Sequence, residues 1–233
     1  MHEPGRGGES PFGPPKGEPT RPLLEAFIVF IVFYLASYVS AASPSAGASR
    51  PEFHFMVVAV NLPRLVLVLY LMAVGDGLRL FDIGRFKRAD VARGFLTALG
   101  AFAVILVPGL LFSAMGIENP FFSQAGSVPR AGLALIPLIL ASSLATGYCE
   151  ELFFRSYLIR RLGQAGLPGL WAAIVSSLLF GSGHGYQGII GLVSGSLLGL
   201  FFAWRWSATK NIHEIAIGHG LFDAAVFAIL IYS

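Results

Sequence analysis

Seven long apolar stretches dominate the chain, at about 23–42, 53–75, 94–116, 131–149, 168–186, 188–206 and 212–232. None shows the period-two alternation of a half-buried strand, and each approaches the ~20 residues that cross a hydrocarbon core as a helix. A membrane β-barrel would need segments of about 10 residues alternating in polarity. The pattern predicts an all-α, polytopic transmembrane helical bundle of about seven spans, within a range of six to eight. Residues 1–22 break the pattern: they hold 6 Pro and 5 Gly, with Met1 and Phe12 as the only apolar side chains. Such a segment cannot build a core and is expected to be disordered. A signal peptide ending near Ala41-Ala42-Ser43 is the competing reading of the first stretch. The lead before it is long and charge-balanced rather than short and basic, which favours a span.

Composition sharpens this picture. Of 233 residues, 55% are hydrophobic and 12% charged, against roughly 25% charged for a soluble domain. Mean hydropathy is +0.71. An ordinary soluble domain, a disordered chain and a nucleic-acid binder are excluded. The single cysteine, Cys149, cannot form an internal bridge. The net charge of +3 implies no anionic partner; where the charges sit matters more. With a cytoplasmic N-terminus, the inside segments carry thirteen Lys and Arg residues, and the outside loops carry only Arg50 and Arg130. This positive-inside bias predicts a plasma (inner) membrane protein with its N-terminus in the cytoplasm. Arg64 lies within a span. No solenoid-period repeat and no convincing inverted repeat occurs, which counts against a transporter.

Polar groups at membrane depth cost about 2.5–3.5 kcal/mol each on insertion scales, so each needs a partner or a purpose. Three clusters stand out in the last 90 or so residues. The first is Glu150-Glu151-Leu152-Phe153-Phe154-Arg155, at the end of the fourth stretch. Glu151 and Arg155 are four apart and share a helix face, while Glu150 is rotated about 100° away. Two adjacent carboxylates repel, which suits one of them to act as a general base near neutral pH. A helix-end ion pair at the interface is the structural alternative. The second cluster is Phe180-Gly181-Ser182-Gly183-His184, where Phe180 and His184 share a face and glycines surround the histidine. The third is His219-Gly220-Leu221-Phe222-Asp223, with His219 and Asp223 one turn apart. A structural hydrogen bond between helices is the alternative there. Together the clusters can activate water and stabilise an oxyanion, or ligate one metal ion.

Other intramembrane chemistries fit less well. A zincin needs two histidines one turn apart, whereas His213-Glu214 is followed by His219, six residues on. No Gly-x-Ser-Gly accompanies a histidine in the manner of a rhomboid. Gly75-Asp76-Gly77 does not match the Gly-x-Gly-Asp of presenilin-like proteases.

In order and spacing, Glu150-Glu151…Arg155, Phe180…His184 and His219…Asp223 resemble the CPBP family of CAAX proteases and bacteriocin-processing enzymes, also called the ABI family. Its pattern is Glu-Glu-x-x-x-Arg, Phe-x-x-x-His and His-x-x-x-Asn/Asp. The resemblance covers about residues 130–232. Two positions depart from it: Asp223 stands where prenyl-processing members have Asn, and Ser156 replaces the usual glycine. The resemblance implies an intramembrane endopeptidase acting on a membrane-anchored protein or peptide. It implies that Glu150 activates water with His184, that His219 and Asp223 bind a metal or face the oxyanion, and that Glu151 and Arg155 hold the site together. Glu150, Glu151, His184, His219 and Asp223 form the expected catalytic set, with Arg155 and Phe180 in support. If Glu150, His184, His219 and Asp223 converge, they could hold one Zn²⁺ with a position open to water. A glutamate-based reaction would use no cofactor. Residues 23–129 then form an N-terminal group of transmembrane helices and 130–233 the catalytic core. The expected partners are the lipid bilayer and a membrane-anchored substrate, with no nucleic acid. A catalytically silent membrane protein with an immunity or chaperone-like binding role is the alternative. An in-out count of spans also leaves Glu150 near the inner side and His184 near the outer. A long tilted fourth helix, or a glycine-rich 181–188 segment dipping into the bundle, is needed to bring them together.

Overall fold

A computed structural model describes residues 20–39, 47–75, 77, 81, 83–118 and 128–232. Among these residues there are seven helices and no strand. They are α1 (Thr20–Val39), α2 (Pro51–Gly75), α3 (Ala89–Ala114), α4 (Leu133–Gln164), α5 (Gly169–Ser182), α6 (Gly188–Thr209) and α7 (Ile212–Tyr232). Five helical segments are long and apolar enough to cross a membrane: α2, α3, α4, α6 with its leading turn, and α7. Phe55, Leu62, Val66, Tyr70 and Val74 of α2 and Phe95, Leu99, Leu106 and Leu110 of α3 all point outward. Apolar belts of that extent match a lipid surface, and the chain is an integral membrane protein. Of the expected disordered tail, residues 1–19 lie outside the described residues, and Thr20, Arg21 and Pro22 open α1 instead.

The fourth and fifth stretches differ from expectation. The fourth helix does not stop at Cys149 but continues to Gln164, 32 residues in all. Its first turn, Leu133–Leu135, is 3₁₀; Ile136–Glu151 is α-helical; Leu152–Leu158 widens into a π-helix; Ile159–Gln164 is α-helical again. The cluster Glu150–Arg155 is therefore internal to a continuous helix, and the helix-end alternative falls away. The fifth helix is only 14 residues long and ends at Ser182 rather than near 186. These two corrections remove the topological conflict. Glu150 lies 14 residues before the end of α4, and α5 returns over 14 residues. At 1.5 Å per residue both paths measure about 21 Å, so His184 comes back level with Glu150. The 3₁₀ turn Gly185–Gln187 and Gly188, whose φ of 71° favours glycine, reverse the chain into α6.

α7 packs most extensively against α4 and α3. Small residues make the close approach possible. A Cβ on Gly147 would sit 2.5 Å from the Ala216 carbonyl oxygen and 2.8 Å from the Gly220 nitrogen. A Cβ on Gly218 would sit 2.8 Å from the Thr97 side chain. Glycines thus flank His219 on both sides and let its backbone close on two helices at once. At one end of the bundle the connections meet: Ile212 N–H donates to the Ile83 carbonyl (3.1 Å) and Asn211 Nδ2 to buried Asp90 (2.8 Å). Arg161 and Lys210 also lie at this end, as the clustering of basic residues requires if one end faces a single compartment. α1 docks on the lower half of α4, where Tyr157 OH and Arg161 both donate to Glu25 (2.5 and 2.9 Å).

Gly147→Ala is expected to destabilise the bundle by about 1–3 kcal/mol, because backbone atoms cannot yield to the new methyl group. Thermal unfolding in detergent checks this, and an unchanged midpoint would count against the α4–α7 wedge.

Candidate active site

Glu151 is the centre of the arrangement. It is completely buried, as is Arg155, and Arg155 Nε lies 3.0 Å from Glu151 Oε2. Its other oxygen, Oε1, lies 2.8 Å from His219 Nδ1. A carboxylate oxygen accepts and does not donate, so the proton belongs to His219 Nδ1 and the ring presents Nε2. That nitrogen lies 3.5 Å from Asp223 Oδ2 and 3.8 Å from Glu150 Oε2. Glu150, His219 and Asp223 therefore come together from two helices at one point. The i, i+4 spacing places Asp223 under His219, as α-helical geometry dictates.

Aromatic rings build the wall behind these groups. Phe180 touches Arg155 (4.9 Å from guanidinium carbon to ring centroid), His184 (4.8 Å between centroids) and His219 (5.6 Å). Phe202 stacks on His219 at 5.1 Å and 21°. Arg155 also reaches Ser176, whose hydroxyl donates to the Phe154 carbonyl (2.7 Å). The guanidinium is thus spread over two ring faces and one carboxylate, which is how a buried cation is tolerated in apolar surroundings.

His184 follows α5 on the turn into α6. Its Nδ1 lies 3.0 Å from the Phe180 carbonyl, which again assigns the proton to Nδ1 and leaves Nε2 as the basic nitrogen. Glu150, His184, His219 and Asp223 all line one cavity of about 1130 Å³. The cavity runs from this level to the end of the bundle where α2 begins and α3 ends, at Phe53, Gly116 and Glu118. Its walls include Tyr34 of α1, Asn61 and Arg64 of α2, and Leu198 of α6. Glu151, grouped with the catalytic residues from the sequence, is not part of the cavity wall; it contacts His219 and Arg155 instead.

The four residues expected to hold zinc share the cavity. Both imidazoles place Nδ1 against other partners and keep Nε2 available, as metal-bound histidines also do. Among the described residues no group of three or more His, Cys, Asp or Glu side chains is arranged to hold a metal ion. No step below runs through a metal. His213 and Glu214 are not part of the cavity wall. His213 faces Tyr148 OH (3.2 Å), while Glu214 pairs with Arg205 and accepts from Thr97 (3.1 Å).

Phe202 and Tyr34 went unread in the sequence, because neither sits in a polar cluster and the chain holds 20 Phe and 7 Tyr. The one available signal for Phe202 was its place in a helix of small residues, Gly191, Gly195 and Gly199, that packs tightly against α5.

A helical membrane protein with a carboxylate–histidine cluster at the base of a cavity is the class that fold and site define. Residues 131–225 match the family model for type II CAAX prenyl endopeptidases, Rce1-like. The matched segment contains all three motifs, so the resemblance to the CAAX-protease family holds for that part of the chain. It supports a CAAX-type intramembrane protease in general, acting on a membrane-associated protein. No curated protein and no solved structure matches the chain.

Arg155→Ala is expected to act on folding. Removing one partner of a fully buried pair leaves an uncompensated charge and costs about 3–5 kcal/mol. Yield and thermal stability in detergent should both fall; a stable but inactive variant would give the arginine a part in the chemistry.

Proposed function

We propose that the protein is an endopeptidase that hydrolyses a peptide bond of a membrane-associated substrate by a glutamate-based mechanism. The observation that carries this reading is the convergence of Asp223 Oδ2 (3.5 Å) and Glu150 Oε2 (3.8 Å) on His219 Nε2 at the cavity base, with His184 on the same wall. Glu150 Oε2 has no hydrogen-bond partner. The Glu150 carboxylate, which lines the cavity, takes a proton from a water molecule there, and the hydroxide attacks the scissile carbonyl carbon. His184 Nε2, unencumbered, helps orient that water. The proton on Glu150 then passes to the leaving amine as the tetrahedral intermediate collapses.

His219 and Asp223 serve the oxyanion in this reading. Glu151 holds the imidazole in orientation and stabilises its protonated form, which donates from Nε2 to the developing charge. Asp223 donates alongside when it carries its proton, as the family's Asn does with its amide. Glu151 is a positioning residue, because it reaches the reaction only through His219. Arg155 and Phe180 keep Glu151 and both imidazoles in place. The positive-inside bias supports an N-terminus in the cytoplasm and residence in the plasma (inner) membrane.

Glu150→Gln and His184→Ala should each lower turnover by about 10²–10⁴-fold while the protein still inserts and folds. The readout is mass spectrometry of membrane peptides from cells with wild type, with each variant, and without the protein. Equal peptide profiles for wild type and Glu150→Gln would favour the silent-binder reading.

Asp223→Asn separates two roles. As an oxyanion-side donor, Asn cannot lose a proton, so activity should stay within about tenfold of wild type. The fall in activity at high pH, where an ionised Asp223 repels the oxyanion, should shift upward or vanish. The pH–rate profile of purified protein, recorded with and without a chelator, checks this. Loss of activity in Asp223→Asn, with chelator-sensitive wild type restored by zinc, would return the zinc set to His184, His219, Asp223 and Glu150.

A further inference from the structure

Tyr34 of α1 lines the same cavity as Glu150 and His184 but takes no part in the mechanism above. It lies outside the segment 131–225 that matches the family model. Aromatic neighbours fix its ring: Phe30 stacks on it at 5.2 Å and 27°, Phe154 approaches to 5.3 Å and Phe153 to 6.3 Å. Gly183 makes room for it, since a Cβ there would sit 3.0 Å from Tyr34 Cδ1 and 3.2 Å from Cε1. The next residue is His184, and α1 also meets the 3₁₀ turn Gly185–Gln187 that follows it. Of the charges that act on Tyr34, Glu150 comes first, ahead of Arg64 and Glu151. The phenol therefore stands on the Glu150–His184 side of the cluster.

Tyr34 is only 6% exposed, and a buried phenol usually finds a hydrogen-bond partner. Among the described residues the Tyr34 hydroxyl has none. Four other tyrosines do: Tyr148 meets His213, Tyr157 donates to Glu25, Tyr232 donates to the Gly132 carbonyl, and Tyr186, the other phenol on the cavity wall, accepts from Gln187. A hydroxyl left unsatisfied in an apolar wall costs free energy, and an acceptor in the cavity recovers it. The reaction proposed above contains such an acceptor. The attacking water turns one proton to Glu150 and the other to His184 Nε2, and aims one lone pair at the scissile carbonyl carbon. Its second lone pair calls for a donor. A carboxylate cannot supply one, and neither can an imidazole whose proton is on Nδ1. A phenol can, and it keeps its proton near neutral pH.

We propose that Tyr34 is a further catalytic residue, whose hydroxyl donates a hydrogen bond to the attacking water and fixes its orientation toward the scissile carbonyl. This rests on the endopeptidase reading and adds to it a reacting group supplied by α1. No proton leaves Tyr34. The water gives one proton to Glu150, the new carbon–oxygen bond forms from one lone pair, and Tyr34 holds another while the tetrahedral intermediate forms.

The test compares full-length wild type, Glu150→Gln and Tyr34→Phe in membranes. Mass spectrometry follows over time the peptides that wild type produces and Glu150→Gln does not. Tyr34→Phe keeps the ring and its packing, so its thermal midpoint in detergent should match wild type. It should form the same peptides about tenfold more slowly, the loss of one hydrogen bond to the reacting water. Two further side chains at position 34 separate donation from shape: 4-aminophenylalanine, which offers an N–H, should restore most of the rate, and 4-methylphenylalanine, of similar size but without a donor, should not. A wild-type rate in Tyr34→Phe, or equal rescue by both side chains, would overturn the proposal. Because only the donor distinguishes the two rescues, a variant that is slow through poor packing gives the second of these outcomes. Identical peptides from wild type and Glu150→Gln would instead remove the endopeptidase reading, and Tyr34's part with it.

Discussion

A carboxylate with no water and two cationic or ionisable neighbours organises this molecule. Glu151 is taken wholly out of solvent, at a cost that is several kcal/mol per ion even after relaxation. It is repaid only if Arg155 and His219 both reach it, one on each oxygen. Arg155 comes from the next turn of the same helix, but His219 comes from α7, and Phe180, which supports both, from α5. Any packing that slides α5 or α7 by a turn strands a charge. Local chemistry thereby imposes a single register on three helices that are otherwise held by greasy and exchangeable contacts.

That register also depends on helix lengths. α4 continues past the acidic pair for almost as many residues as α5 needs to come back, so the second motif returns to the height of the first. The π-helical stretch Leu152–Leu158 lies where this happens, and every one of its side chains is buried. A wider turn shifts the residues that follow relative to an ideal α-helix, and such insertions are frequent at functional sites. Here it lets Phe153, Phe154 and Tyr157 pack against Phe33, Tyr34 and Phe81 of neighbouring segments.

The helical membrane bundle and the polar members of the site could be read from sequence, because an acid or a histidine in an apolar run has so few structural uses. Glu150, His184, His219 and Asp223 do share a cavity, as their chemistry suggested. What misled was the run Arg155, Arg160 and Arg161, which resembles the basic edge of a membrane and so marked the end of α4 too early. Arg155 is buried inside the protein by Glu151 and two aromatic rings, and Arg161 by Glu25, Phe81 and Tyr157. Partners more than a hundred residues away, such as Glu25 for Arg161, leave no trace in local spacing. The aromatic wall was equally hidden, since nothing in the pattern separates Phe202 on His219 from phenylalanines facing lipid.

The contrast between Glu150 and Glu151 shows how one dipeptide yields two functions. The residues are adjacent, identical and equally apolar in their flanks. A helix turns about 100° per residue, and that single step sends one carboxylate into the wall and the other into the cavity. Glu151 has both oxygens committed and holds His219 rigid. Glu150 lines the cavity, with Oε2 3.8 Å from the imidazole that Glu151 has positioned. A base must be free to take a proton, and an anchor must not be. A flexible loop could not keep two neighbouring carboxylates in such different states, whereas a helix wedged between α5 and α7 can. The cost of burying Glu151 is therefore the condition under which Glu150 can face the cavity beside His219 and still be held in one place.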